Sequence, residues 1–404
     1  MRFNGPELGN VEVVVGLIAE TPDRLGSVGA RTLAVRSSKD VGMESDRRQY
    51  HTLDGMRGLG AIAVMMRHAD TICEPIVMPS SYLAVDVFFV LSGFVIAYAY
   101  DPRFERGMST RSFIVGRFIR LYPLYFLGTL LAIFSMAVAH VIGAGVLNGQ
   151  GVMLACLAGL LILPSPTISQ ADHAFIVNRP GWSLFFELVI NLAFGLVWRW
   201  LTRPVLAGLV VLSGILLGVS VFKAGSCDVG PDWSNILFGF PRVAFSFFAG
   251  VLIERTLKKP HQTSWVGWLI PALMIPIFAV DVSKDLRPFY DLACVLVIFP
   301  ALIVWGASYD PPPLGAKAFR FLGLISYPLY AVHFPMTELA RRALRILHMD
   351  PTRYAPWLGL TLTAALALAS WPLARLYDEP VRRAIASRMR RKGHVPSPGV
   401  LTPD

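Results

Sequence analysis

Charge is what this sequence lacks. Only 16% of its 404 residues are Asp, Glu, Lys or Arg, against about 25% in an ordinary soluble domain. With 54% hydrophobic residues and a mean hydropathy of +0.54, too little polar surface remains to cover cores of this size in water. That argues against a soluble globular protein and against a disordered chain. Cysteine is scarce too. Cys73, Cys156, Cys227 and Cys294 lie far apart, form no CxxC pair and read as small apolar side chains. They fit neither a disulfide scaffold nor a metal centre, and no metal is expected. Acidic residues are outnumbered, 27 against 37 basic, for a formal net charge of +10. Such an excess suggests nucleic acid only until the basic residues are located. They cluster in short loops and tails between apolar stretches, as in a polytopic membrane protein, so the expected partner is the lipid bilayer and no nucleic acid.

The expected fold is all-α: a polytopic membrane helix bundle of about ten transmembrane helices plus one short re-entrant or interfacial segment. Residues 1–50 are mixed in composition, with an apolar stretch at Val13–Ala19 too short to span. They read as a poorly ordered cytoplasmic extension, with Met43 as an alternative start. Residues 51–380 form the membrane domain and 381–404 a basic cytoplasmic tail. Candidate spans are 54–73, 82–100, 113–139, 182–201, 204–222, 236–253, 264–280, 288–306, 319–340 and 357–376, and 151–163 is the shorter extra segment. Arg47, Arg48 and Arg57 precede the first span, whereas the loop 74–81 has no Lys or Arg. By the positive-inside rule, both termini are expected on the cytoplasmic side of the membrane. One loop disagrees: 341–356 carries Arg341, Arg342, Arg345 and Arg353 yet falls outside.

Ionisable side chains within spans are costly and usually face the bundle interior for a purpose. Arg57 and His68 are eleven residues apart, which on a helix returns to within about 20° of the same face with a rise of about 16 Å. Arg57 is thus expected at the cytoplasmic end and His68 in the outer half. Asp86 begins the second span at similar depth. Ser183, Glu187 and Asn191, spaced i, i+4, i+8, form a polar stripe beside Trp182. Tyr330 and His333 reach the outer half of the ninth span. His68, Asp86 and Glu187 are expected to converge there on one buried chamber, with Trp182, Ser183, Asn191, Tyr330 and His333 lining the pocket. Arg117 and Arg120, i, i+3 neighbours, join Arg57 at the inner rim, where guanidinium groups suit phosphates. Simpler readings stand beside these: Arg117 and Arg120 as topology determinants or lipid anchors, Asp86 and Glu187 as neutralisers of Arg242 or Arg67, Trp182 as an interfacial belt residue. Ser92 is expected to bond back to the Phe88 carbonyl.

The blocks Leu53-Asp54-Gly55-Met56-Arg57-Gly58 with His68 ten residues on, Asp86-Val87-Phe88-Phe89-Val90-Leu91-Ser92-Gly93-Phe94, Arg117-Phe118-Ile119-Arg120, Trp182-Ser183-Leu184-Phe185-Phe186-Glu187 and Ser326-Tyr327-Pro328-Leu329-Tyr330-Ala331-Val332-His333 occur in this order. Together they resemble the acyltransferase-3 family of bacterial integral-membrane acyltransferases. The resemblance covers about residues 50–380. It implies O-acylation, most often O-acetylation, of a carbohydrate or glycolipid hydroxyl from acyl-CoA, used as co-substrate with no permanently bound cofactor. The SGNH hydrolase domain that some members carry is not among these residues, and a standalone enzyme is expected. The residue chemistry agrees: His68 suits a general base, with Asp86 or Glu187 orienting its ring, and Arg57, Arg117 and Arg120 binding acyl-CoA. A proton-coupled transporter or flippase of a glycan or acidic solute is the alternative, since intramembrane His, Asp and Glu also suit a proton relay.

Overall fold

The computed structural model describes residues 48–141, 149–166, 172–257 and 262–391. Residues 1–47 of the N-terminal extension and 392–404 of the tail lie outside the described residues, and the start of the tail, to Arg391, is helical. Long helices dominate: α1 (His51–His68), α2 (Ala84–Glu105), α3 (Thr110–Val141), α4 (Gly149–Leu160), α5 (Gly181–Val197), α6 (Arg203–Ala224) and α7 (Gly239–Thr256). After them come α8 (Val266–Ala272), α9 (Met274–Ala279), α10 (Arg287–Ala293), α11 (Phe299–Gly306), α12 (Pro313–Ile346), α13 (Trp357–Pro372) and α14 (Glu379–Arg391). A two-residue parallel pair, β1 (Gln262–Thr263) with β2 (Tyr309–Asp310), is the only sheet among the described residues.

Among the described residues, seven helices are long and apolar enough to cross a bilayer: 81–105, 110–141, 181–200, 203–224, 236–256, 287–306 and 357–389. About ten were expected, and 54–73, 264–280 and 319–340 account for the difference. The physical reason differs between them. α1 carries Asp54, Arg57, Arg67 and His68, and α12 carries Lys317, Arg320, Glu338, Arg341 and Arg342, so their mean hydropathy falls. The 264–280 segment is broken into α8 and α9, with Pro271 and Pro276 supplying no N–H to either ladder. Residues 151–163 contain the short apolar helix α4, as expected.

Lipid-facing surface is plain on α6, where Val211, Leu212, Ile215, Leu216, Val219 and Phe222 are all exposed. A water-facing helix would not present such a stripe. The polar helices lie inside. α1 packs chiefly along α12, and α2 along α7. The α2–α7 contact depends on glycine: a Cβ on Gly93 would overlap the Phe247 carbonyl oxygen, and one on Gly250 the Val90 carbonyl oxygen. Small residues let helix backbones approach where lipid provides no hydrophobic drive. The start of α1 is tied from a distance, because Asp310 accepts from the Thr52 N–H at 3.0 Å and the Thr52 hydroxyl donates to the Tyr309 carbonyl at 2.6 Å. Those bonds satisfy one otherwise orphaned helix N–H and fix the register of the helix that carries Arg57 and His68.

Candidate active site

Each block of polar residues occupies one face of one helix, and the bundle sorts them into three groups. The first surrounds a cavity of about 180 Å³ between α1, α2, α3, α5 and α12. Arg57, Arg117 and Arg120 line it together with Ser92, Ser183, Glu187 and Tyr330, over apolar walls that include Phe88, Phe89 and Leu184. Glu187 is the hub of its polar side. It accepts from Arg117 at 3.2 Å and from the Asn191 side-chain amide at 3.1 Å, and the Ser92 hydroxyl donates to the same oxygen. Arg57 is paired with Asp54 at 2.6 Å and Arg120 with Asp378 at 3.6 Å, but neither of those carboxylates lines the cavity. The lining therefore carries three guanidinium groups against one carboxylate.

The second group lies beyond Tyr330, toward the C-terminal end of α1. Tyr330 closes that end of the cavity by bonding Ser183 through its hydroxyl, 2.6 Å away, while Phe88 meets its ring edge-on. One turn on, the His333 Nδ1–H donates to the Tyr330 carbonyl at 2.8 Å. That bond fixes the neutral tautomer, leaving the Nε2 lone pair of a fully buried ring with no partner among the described residues. His68 is its neighbour, with ring centroids 5.2 Å apart, and Phe334 packs edge-on against His68 at 5.4 Å.

The third group is Asp86 with Arg242, both fully buried. Arg242 Nε donates to both Asp86 oxygens at 3.0 and 3.2 Å, and NH2 to one of them at 2.7 Å. The remaining donors reach the Val229 and Tyr82 carbonyls, both at 2.9 Å, and the guanidinium lies 5.2 Å from the centre of the Trp182 ring.

This arrangement departs from the expected single chamber. Asp86 is spent on Arg242, the simpler of the two readings. Glu187 pairs with Arg117, a residue expected at the other end of the site, and neither carboxylate is hydrogen-bonded to His68 among the described residues. Trp182 packs on Arg242 and does not line the cavity. Ser92 bonds Glu187 rather than its own helix backbone. The α5 stripe does face inward, Ser183 and Glu187 into the cavity and Asn191 onto Glu187. Asp54 and Asp378 were missed. The first had a signal, its i, i+3 spacing to Arg57. The second, 258 residues from Arg120 in sequence, had none.

Comparison with known proteins covers the same stretch of sequence. A family model described as "Acyltransferase domain" matches residues 50–375. "Protein 2 in picA locus" of Rhizobium radiobacter is 35% identical over 183 residues, 43% of this chain and 93% of that protein. "Peptidoglycan O-acetyltransferase OatA" of Listeria monocytogenes is 24% identical over 363 residues, covering 83% of this chain and 56% of its own length. "Acyltransferase MdmB" of Streptomyces mycarofaciens is 27% identical over 374 residues, 83% and 92% respectively. No solved structure matches. The family match covers most of the chain, including all five sequence blocks and the helices that build the cavity, and the protein accordingly belongs to the acyltransferase-3 family of membrane acyltransferases.

Proposed function

We propose that this protein transfers an acyl group, acetyl in the first instance, from acyl-CoA to a hydroxyl of a carbohydrate or glycolipid. The observation that carries the reading is the cavity whose lining sets three arginines against one carboxylate and which ends, at Tyr330, one helical turn from the histidine pair. CoA is a polyanion on a long, flexible pantetheine arm. Arg57, Arg117 and Arg120 supply planar, charge-assisted donors for its phosphates, and the apolar walls suit the arm. The arm carries the thioester to Tyr330, and opening of the Ser183–Tyr330 hydrogen bond admits it to His68. His68 takes the proton from the acceptor hydroxyl as the oxygen attacks the thioester carbonyl, and the thiolate leaves and recovers the proton. His333, its tautomer fixed by the Tyr330 carbonyl, packs its ring against His68 and so positions it. The arginine end then faces the cytoplasm of a bacterial inner membrane, with both termini on that side. The peptidoglycan acetyltransferase among its relatives supports a glycan acceptor.

Donor binding tests this. Arg117→Ala and Arg120→Ala are each expected to raise the KM for acetyl-CoA about 10- to 100-fold, the equivalent of one lost charge-assisted contact, with a much smaller change for the acceptor. Lys at either position restores only part, because it lacks the bidentate fork. Full rescue by Lys with an unchanged donor KM would mark these residues as topology determinants instead.

A further inference from the structure

Two of the arginines that contradict the positive-inside rule, Arg341 and Arg342, are held by Glu338. At the His68 end of the bundle, Arg67 donates to Asp228 at 2.8 Å and to the Pro79 carbonyl at 2.7 Å. His173 donates from Nδ1 to Asp232 at 2.7 Å, and Arg179 lies 3.4 Å from the same nitrogen. Arg341 bonds Glu338, and Arg342 donates to the Ser135 hydroxyl at 2.6 Å. These pairs form one group. Burial lowers the pKa of Arg179, whereas Asp232, Asp228 and Glu338 act to raise it and Arg341 adds its own charge. Arg67 adjoins His68 in sequence, and Arg341 lies 4.0 Å from Asp70, two residues beyond it.

Two properties of this rim point to a ligand. It is balanced: Arg67, Arg179, Arg341 and Arg342 stand against Asp70, Asp228, Asp232 and Glu338, unlike the cationic lining of the cavity. It is also held yet open, because Arg67, Asp228, Asp232, Glu338 and Arg341 keep 27–36% of their side-chain exposure while ion-paired. A hydroxyl both donates and accepts, so a surface of alternating carboxylates and guanidiniums matches a polyol on both counts. An anionic group placed there meets four carboxylates, and a cation four guanidiniums.

We propose that this rim is the acceptor-binding site and that the portion of the acceptor seated on it is an uncharged, hydroxyl-rich saccharide segment, free of uronate or phosphate. The proposal rests on the acyl-transfer reading, which places the reacting hydroxyl at His68. It adds that the acceptor approaches from the end opposite the arginine-lined cavity, and that Arg341 is there to bind substrate, outside the charge code that orients the helices.

Saturation-transfer NMR on the full-length protein in lipid nanodiscs tests this. The probes are a mixture of neutral chito-, malto- and xylo-oligosaccharides, an oligogalacturonate, and CoA. At least one neutral oligosaccharide is expected to bind and to remain bound when CoA is added, with oligogalacturonate giving no signal. Arg179→Ala and Glu338→Gln are each expected to weaken that binding about tenfold or more, leaving CoA binding and thermal stability as in the parent. Neutral saccharides that bind equally well to both variants, oligogalacturonate that binds as well as they do, or CoA binding with no neutral-saccharide signal would each overturn the rim assignment. Saccharide binding lost in the variants, with no CoA binding to the parent, would instead refute the donor reading and leave the rim standing.

Discussion

Purified His68→Ala is expected to lose about two to four orders of magnitude in turnover, the usual contribution of a positioned general base, while binding CoA as the parent does. The separation follows from geometry. His68 does not line the arginine cavity; it lies past Tyr330, against His333 and Phe334. Removing its ring leaves Arg57, Arg117 and Arg120 and their carboxylate partners untouched. His333→Ala also removes the ring that packs against His68, so it is expected to lower kcat with little change in donor KM. His333→Gln, which keeps a polar group near the Nε2 position, should recover part of the loss. Single-turnover kinetics with acetyl-CoA at matched protein concentration reads both. A His68→Ala protein with more than a minor fraction of parental turnover removes His68 as the base.

Arg242→Ala is expected to be the most damaging change to the fold. Both charges of the Arg242–Asp86 pair are out of solvent, and breaking such a pair from one side costs about 3–5 kcal/mol because the partner's charge is left buried and uncompensated. Here the arginine also ties the Tyr82 and Val229 carbonyls, so its loss strands two backbone acceptors as well. A domain has about 5–15 kcal/mol of stability in total, so Arg242→Ala and Asp86→Ala should both yield little folded protein. Replacing both charges together by apolar residues of similar volume should recover more than either single change. Size-exclusion profiles and thermal unfolding in detergent measure this. Asp86→Ala that folds as well as the parent but does not transfer would return Asp86 to the chemistry.

The contrast between Asp86 and Glu187 shows how far the sequence could be read. The α5 stripe was legible because Ser183, Glu187 and Asn191 repeat at one helical spacing, which is a local property. The pairing of Glu187 with Arg117 was not. Loop charges say on which side a helix begins and nothing about how far a residue reaches inward. Arg117 is seven residues into α3 and Glu187 six into α5, running from opposite ends. Each is about 10 Å deep in a core of about 30 Å, and two long side chains close the remaining gap. Asp86 was placed at the depth of His68, but depth leaves the direction around the bundle open. Arg242, 156 residues away in sequence, takes it. The count of spanning helices differs for a related reason. α1 carries Arg57 and Arg67, and α12 Glu338 and Arg341, so two helices that build the site and its rim are less apolar than a spanning helix usually is.

The central claim is that donor and acceptor meet from opposite ends of one bundle, and sealed proteoliposomes test it most directly. With the protein reconstituted in one orientation and the acceptor enclosed, labelled acetyl-CoA is supplied only on the side facing the arginine cavity. Labelled, alkali-labile acetyl ester is expected on the enclosed acceptor, with free CoA thiol released outside and none of the label transferred when His68 is replaced by Ala. Acetyl ester formed only when acetyl-CoA and acceptor share a compartment, or acceptor carried across unmodified with no thiol released, would contradict it.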